Sequence, residues 1–284
     1  MSIAVAVSGG ADSLLALVLL KEQGLEPIAL HGSFLPPGPR EEALQDTLTS
    51  LCKTLDIPLH ICRLQDAFHQ LVIAPFIQSY CSGQTPNPCA WCNREVKFGL
   101  LLDRARALGA ARLATGHYVR KAGDGPQLYR GVDPDKDQSY FLALISRKQV
   151  SRACFPLGSW HKDEVQEALR SRGCSVPIKQ ESQEVCFIPD NDYRAFLEAS
   201  GQDLPRPGPI MDSSGAVLGR HQGLHRYTIG QRRGLGIAAS HPLYVLKKKI
   251  RRNALLVGPR NELQASSCHV RALNCLLEPA HWPR

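Results

Sequence analysis

Ile3-Ala4-Val5-Ala6-Val7-Ser8-Gly9-Gly10-Ala11-Asp12-Ser13-Leu14-Leu15-Ala16-Leu17 opens the chain and decides its fold. The apolar, β-branched run Ile3–Val7 reads as a buried strand. Leu14 to Lys21 reads as a helix. A strand, a glycine turn and a helix form the geometry of a phosphate cradle. The two glycines let the backbone approach an anion and permit positive φ. Unpaired N–H groups at the helix start then face that anion, helped by the positive end of the dipole. Ser8 and Ser13 add hydroxyl donors. Asp12 is out of place beside phosphates unless it faces a metal ion, so Mg²⁺ is expected there.

The loop lacks the lysine of G-x-x-x-x-G-K-[ST], so it is not the ordinary P-loop. S-G-G-x-D-S instead resembles the PP-loop of the ATP pyrophosphatase superfamily. That resemblance implies cleavage of ATP between its α and β phosphates and adenylation of a carbonyl oxygen.

The chain has 284 residues, enough for two domains. No run of about 18 uncharged apolar residues is present, so no membrane span is expected. No basic region precedes the first apolar strand, so no signal peptide is expected. A formal net charge of +8 suits a polyanionic partner. Ten cysteines without a secretory signal do not read as structural staples. Cys52, Cys62, Cys81, Cys154, Cys174, Cys268 and Cys275 read as small core residues.

Further along, Pro27–Leu30, Leu59–Cys62 and Arg112–Thr115 read as strands. Residues 40–55, 66–80 and 95–108 read as helices, the second capped by Asp66. Strands alternating with helices predict an α/β, doubly wound parallel sheet. Ligands in such sheets sit beyond the carboxyl ends of the strands. The opening loop lies there, as does Gly116-His117-Tyr118. Short helices are expected at 137–142, 160–172 and 191–200, with a Pro-rich linker at 205–209. A hairpin around Ser213-Ser214-Gly215 and strand pairs over 243–257 predict a second, small, mainly β domain. The expected division is 1–200, 201–260 and 261–284.

Thr85-Pro86-Asn87-Pro88-Cys89-Ala90-Trp91-Cys92-Asn93 reads as a stiff loop presenting a C-x-x-C pair just ahead of a helix. Cys186 lies far away, in Ser182-Gln183-Glu184-Val185-Cys186-Phe187. Three uses compete: core cysteines, zinc, or sulfur chemistry. Zinc prefers four ligands, and a second C-x-x-C is missing. Sulfur chemistry divides again, into a persulfide-carrying thiol with a resolving partner and a three-cysteine iron–sulfur cluster. Spacing alone does not choose.

Seven stretches carry a closer resemblance: S-G-G-A-D-S, T-P-N-P-C-A-W-C-N-R-E-V-K-F, A-T-G-H-Y, K-D-Q-S-Y-F-L, F-P-L-G, S-Q-E-V-C-F-I and H-Q-G-L-H-R-Y-T-I-G-Q-R-R-G-L-G-I. They run in order from about residue 4 to 258. With them the chain resembles the MnmA-type tRNA 2-thiouridylases, cytoplasmic enzymes that sulfurate the wobble uridine of tRNAs for Lys, Glu and Gln. The fold implied is PP-loop, adenine nucleotide alpha hydrolase-like. The resemblance implies ATP contacts at Ala6, Val7, Ser8, Gly9, Gly10, Ala11, Asp12, Ser13, Gly32 and Gly116. It implies tRNA contacts at Asn87, Pro88, Cys89, His117, Asp137, Gln138 and Ser139. Cys92 matches the nucleophile and Cys186 the persulfide carrier, supplied by a sulfur-relay protein or a cysteine desulfurase. In the cluster alternative, Cys89, Cys92 and Cys186 hold a 4Fe-4S cluster whose open iron binds the transferred sulfur.

Two departures from the resemblance stand out. Gly32 replaces a bulkier apolar residue on the adenine side. The segment Cys268–Asn274 resembles the start of a C-terminal barrel, most of which is then expected to be missing. Arg226, Arg232, Arg233 and the run Lys247, Lys248, Lys249, Arg251, Arg252 are candidates for phosphate contact. Tyr140 and Phe141 are candidates for base stacking. Two rival functions remain. One is a PP-loop enzyme that adenylates a small molecule. The other is a catalytically impaired tRNA-binding or sulfur-carrier paralogue.

Overall fold

A computed structural model describes residues 2–123, 125–178, 185–278 and 280. The chain divides into two compact units: Met1–Val72 with Pro88–Gln183 and Asn274–Arg284, and Ile73–Asn87 with Glu184–Leu273. Neither unit is one continuous stretch. Cys89 and Cys92 belong to the first unit and Cys186 to the second.

The first unit is built on strands β1 (Ile3–Ala6), β2 (Pro27–Ser33), β3 (Leu59–Arg63) and β4 (Arg112–Ala114). After the hairpin β5 (Val119–Lys121) and β6 (Leu128–Arg130) comes β7 (Ala153–Cys154). The sheet order is β3-β2-β1-β4-β7, and every pair in it is parallel. The expected doubly wound sheet is therefore present, with β1 at its centre. Alternate residues of β1 serve opposite layers, as strand geometry requires. Ile3 and Val5 join one core with Leu14, Leu15, Leu17 and Leu169. Ala4 joins the other with Leu30, Leu101, Leu102 and Leu113.

Helices α1 (Ala11–Glu22) and α2 (Pro39–Thr54) cover the early strands. A third helical stretch is α3 (Gln65–Phe68), followed by wider π-type turns at His69–Ile73 and by α4 (Ala74–Cys81). Leu64, not Asp66, is its N-cap. The next helical run begins earlier than the sequence suggests. α5 (Pro88–Trp91) leads directly into π-type turns over Cys92–Leu101 and then into α6 (Leu102–Ala107). Cys89 and Cys92 thus lie inside the first turns of a helix and not in a loop ahead of it. The reason is Pro88, whose fixed φ and missing N–H suit the first helical position. α7 (Arg147–Arg152) is closed by a Ser146–Gln149 capping box. α8 (Lys162–Ser171) places Val165, Ala168 and Leu169 in the same core as α1.

In the second unit, Phe76 of α4 meets Phe187 and Phe196 edge-on at ring distances of 5.2 and 6.2 Å. Tyr80 stacks on Tyr193 at the start of α9 (Tyr193–Ala199). Strands β8 (Gly208–Met211), β9 (Val217–His221), β10 (Tyr244–Lys249) and β11 (Ala254–Gly258) form a sheet in the order β10-β11-β8-β9. They enclose Ile210, Val245, Leu255 and Val257. This is the expected small β domain, including the hairpin turned at Gly215 with φ +93°. Among the described residues no strand follows Gly258, so the barrel-like start read at 268–274 is not formed as strands.

Leu15 is fully buried where α1 meets the sheet. Truncation to Ala leaves a cavity, so Leu15→Ala is expected to lower unfolding stability by about 2–5 kcal/mol in urea titrations.

Candidate nucleotide and sulfur-transfer site

The loop after β1 is held by its own serines. The Ser8 N–H donates to Ser13 Oγ at 3.1 Å, and Ser13 Oγ donates to the Gly10 carbonyl at 3.0 Å. The two hydroxyls lie 3.2 Å apart. Gly9 has φ +85°, and a Cβ there would sit 2.5 Å from Leu44 Cδ1 of α2. The positive φ of the turn calls for glycine at this position. The Ile178 N–H donates to the Gly9 carbonyl at 3.0 Å and fixes the other side. From below, a Cβ on Gly116 would lie 2.7 Å from the Asp12 carbonyl carbon and 2.8 Å from the Ser13 nitrogen. The loop is clamped on three sides while α1 begins at Ala11, presenting main-chain amides as an anion site.

Asp12 does not stand alone. Lys162 Nζ donates to its two oxygens at 2.6 and 2.8 Å, and Tyr118 Oη donates to Oδ1 at 2.6 Å. Where the sequence reading expects Mg²⁺, Asp12 holds an ammonium that engages both of its oxygens. Among the described residues, no group of three or more His, Cys, Asp and Glu is placed to hold a metal ion. The sequence reading missed Lys162 and gave Tyr118 no role. The one signal available was that a carboxylate in an anion loop requires a cation.

Gly32, on β2, is explained by Phe34. A Cβ at 32 would come within 2.5 Å of the Phe34 ring, which stacks on Phe68 at 5.1 Å. The aromatic ring occupies the space that a bulkier residue 32 would fill. Beside it, His31 Nδ1 pairs with the Val7 carbonyl at 2.9 Å and Nε2 with Glu41 at 3.0 Å. This ties β2 to both β1 and α2.

Several residues matched to tRNA contact are used inside the fold. His117 is buried, with Nδ1 paired to Thr115 Oγ1 at 2.7 Å. Burial, and then the charge of Lys97, hold its imidazole well below 6.5. Asp137 accepts from the Gly131 N–H at 2.9 Å and from Ser139 Oγ at 2.8 Å. Burial raises its pKa, but these donors outweigh burial and lower it. Gln138 Oε1 accepts from the Tyr118 N–H at 3.2 Å. The three residues orient the segment carrying Tyr118. Tyr140, next in line, is 70% exposed and available to a base. Cys92 is buried, Cys89 half-buried and Cys186 exposed. Asn87 and Pro88 lead into α5; Ser182, Gln183 and Glu184 lie outside the described residues.

Because Gly116 touches main chain that cannot move aside, Gly116→Ala is expected to weaken anion binding to the loop by about tenfold or more, read by equilibrium titration with pyrophosphate. His117 gives a pH dependence. Its folded pKa is depressed, so its neutral form contributes stability above 6.5 that is lost as pH falls, because the unfolded chain takes up the proton. His221 and His225 are shifted the same way. Unfolding stability is expected to fall between pH 7 and 5, and His117→Gln to flatten that slope.

The chain matches the family described as the tRNA methyl transferase HUP domain over residues 1–190. Over residues 194–259 it matches the tRNA methyl transferase PRC-barrel domain. A tRNA-specific 2-thiouridylase MnmA from Nitratidesulfovibrio vulgaris strain Miyazaki F is 52% identical over 290 residues, covering 100% of this chain and 83% of the relative. The counterpart from Oleidesulfovibrio alaskensis is 50% identical, covering 100% of this chain and 82% of the relative. That from Lawsonia intracellularis is 44% identical with the same coverage. Among solved structures, a 4-thiouridine synthetase–RNA complex with bound ATP aligns over 70% of this chain and 50% of that one. The identity there is 16% and the TM-score 0.43. Half of all positions shared along the full length, around an intact S-G-G-A-D-S loop, make this chain a member of the MnmA tRNA-specific 2-thiouridylase family.

Proposed function

We propose that the chain catalyses ATP-dependent 2-thiolation of the wobble uridine in tRNAs for Lys, Glu and Gln. The observation that carries this reading is the clamped Ser8–Ser13 loop at the end of the central strand, in a chain of the thiouridylase family. ATP lies on Ala6–Ser13, with Gly32 and Gly116 beside it. The uridine 2-oxygen attacks the α-phosphorus, and pyrophosphate leaves on the amides of the loop. An oxygen that was a poor leaving group then departs as AMP. The terminal sulfur of a Cys186 persulfide attacks the activated carbon. Cys92 thiolate next attacks the inner sulfur of Cys186, which releases the thiocarbonyl and leaves a Cys92–Cys186 disulfide for a reductant to open. The exposure of Cys186 suits loading by a protein sulfur donor, either a sulfur-relay protein or a cysteine desulfurase.

Asn87, Pro88 and Cys89 face the target base in this reading. His117, Asp137, Gln138 and Ser139 act by holding the adjoining segment, from which Tyr140 reaches RNA. Exposed Arg232, Arg233, Lys247, Arg251 and Arg252 supply charge for phosphates. Methyl transfer, which the family descriptions name, has no use for an anion loop with two separate reactive thiols. No helix among the described residues is long and apolar enough to cross a membrane, and the reaction belongs in the cytoplasm.

The test is formation of AMP and pyrophosphate by the purified chain, with nucleoside mass spectrometry of the tRNA. AMP release is expected to depend on tRNA, and the uridine to gain the mass of an oxygen-to-sulfur exchange. Cys92→Ser and Cys186→Ser are expected to abolish thiolation while keeping ATP–pyrophosphate exchange within about threefold of the parent. AMP release driven by free metabolites without tRNA would replace this reading with a small-molecule adenylating enzyme. Thiolation that survives in Cys186→Ser would overturn the persulfide assignment.

A further inference from the structure

We propose that Lys162 is a phosphate ligand of the nucleotide site: its ammonium binds the pyrophosphate portion of ATP, and its salt bridge to Asp12 is the arrangement it holds before the anion arrives. The inference rests on the ATP-dependent reading above and adds a residue to it.

Charge comes first. Asp12 is the second residue of α1, inside the stretch whose amides form the anion site. Its carboxylate alone would repel a polyphosphate from that site. Lys162 Nζ lies 2.6 and 2.8 Å from its oxygens and cancels that charge at the mouth of the loop. Neither side chain is sealed: Lys162 keeps 20% and Asp12 28% of its side-chain surface exposed.

The root of Lys162 is fixed while its stem is long. It is the first residue of α8, and its backbone N–H donates to Asp133 Oδ2 at 2.9 Å. Asp133 is itself buried and also accepts from the Asp135 N–H at 3.0 Å. The preceding His161 N–H donates to Glu164 at 2.7 Å. Val165, Ala168 and Leu169 seat the helix in the core shared with α1. The four-carbon stem then swings a three-donor ammonium from one oxygen to another without moving the backbone. Tyr118 receives Asp12 in that motion: its Oη donates to Oδ1 at 2.6 Å, and its ring centroid is 5.8 Å from Nζ.

S-G-G-A-D-S has no lysine, whereas ordinary P-loops carry one beside the phosphates. Lys162 places that cation at the same kind of loop from a helix about 150 residues downstream.

The alternative is a purely structural bridge between α1 and α8, or simple neutralisation of Asp12. Equilibrium titration of the full chain with ATP, pyrophosphate and AMP separates these. Lys162→Met is expected to weaken ATP and pyrophosphate binding by about tenfold or more and to leave AMP within about twofold. Lys162→Arg is expected to recover most of the loss. The double variant Asp12→Asn/Lys162→Met is expected to stay weak, because removing the repulsion does not restore the contact. Unchanged pyrophosphate affinity in Lys162→Met, or full recovery in the double variant, would overturn the proposal. Wild-type protein offers a check that needs no variant. Pyrophosphate, and not AMP, is expected to protect Lys162 from amine-reactive labelling read by peptide mass spectrometry; equal labelling with and without pyrophosphate counts against the contact. A parent chain that binds neither ATP nor pyrophosphate would remove the ATP reading and this inference together. Normal parent binding with an indifferent Lys162→Met removes the inference alone.

Discussion

Main chain packed directly on main chain governs this molecule. Gly116 lies so close to Asp12 and Ser13 that a single methyl group on it would overlap their backbone atoms. That approach is possible because β1 and β4 are adjacent parallel strands whose ends emerge at one edge of the sheet. The loop after β1 is therefore positioned by neighbouring backbone and only secondarily by side chains. An anion site made of amides depends on this, because its donors keep their aim only when the peptide planes cannot tilt. The Leu44 roof, the Ser8–Ser13 interlock and the Ile178 bridge each restrain the same few peptide units from another direction.

Much of this was legible in the sequence because the signals are local. An apolar β-branched run, two glycines and an apolar helix identify the strand, the loop and α1 without reference to the rest of the chain. The parallel order followed from alternation. The short strands β5, β6 and β7 were not legible, since two or three residues carry no periodicity. The start of α5 was misread because two prolines in three positions look like a rigid loop, although one of them is well placed to begin a helix. The discontinuous make-up of the two units left no mark for a different reason. Residues 73–87 join the second unit through Phe76 and Tyr80, whose partners Phe187, Phe196 and Tyr193 lie more than 100 residues away. Linker composition says nothing of such returns.

The candidate site divides along the same line. The glycines and serines of the loop have roles set by their own backbone, and sequence spacing was sufficient for them. Asp12 was noticed and its counter-charge was not, because an ion pair between residues 150 positions apart leaves no mark on either segment. His117, Asp137 and Gln138 show the reverse case. Residues matched to RNA contact turn out to be occupied by hydrogen bonds to Thr115, Gly131, Ser139 and Tyr118. Those bonds stiffen the segment that carries Tyr118.

The wide turns over Cys92–Leu101 have a consequence for how this chain tolerates insertions and deletions. Gln149 Nε2 reaches across to the carbonyls of Arg94 and Phe98 at 2.7 and 3.0 Å, supporting carbonyls that ordinary helical pairing would otherwise engage. Each residue of an ordinary helix advances the phase by about 100°. A wide turn holds one residue more than an ordinary one, so losing a residue here would shorten the path to both upstream sulfur atoms and remove the turn whose carbonyls Gln149 supports, while Leu102 and Ala105 stay in the core. Chain length in this segment thus works like the setting of a key blank, cut to fit alongside the buried Cys92, Asn93, Val96, Phe98 and Leu101.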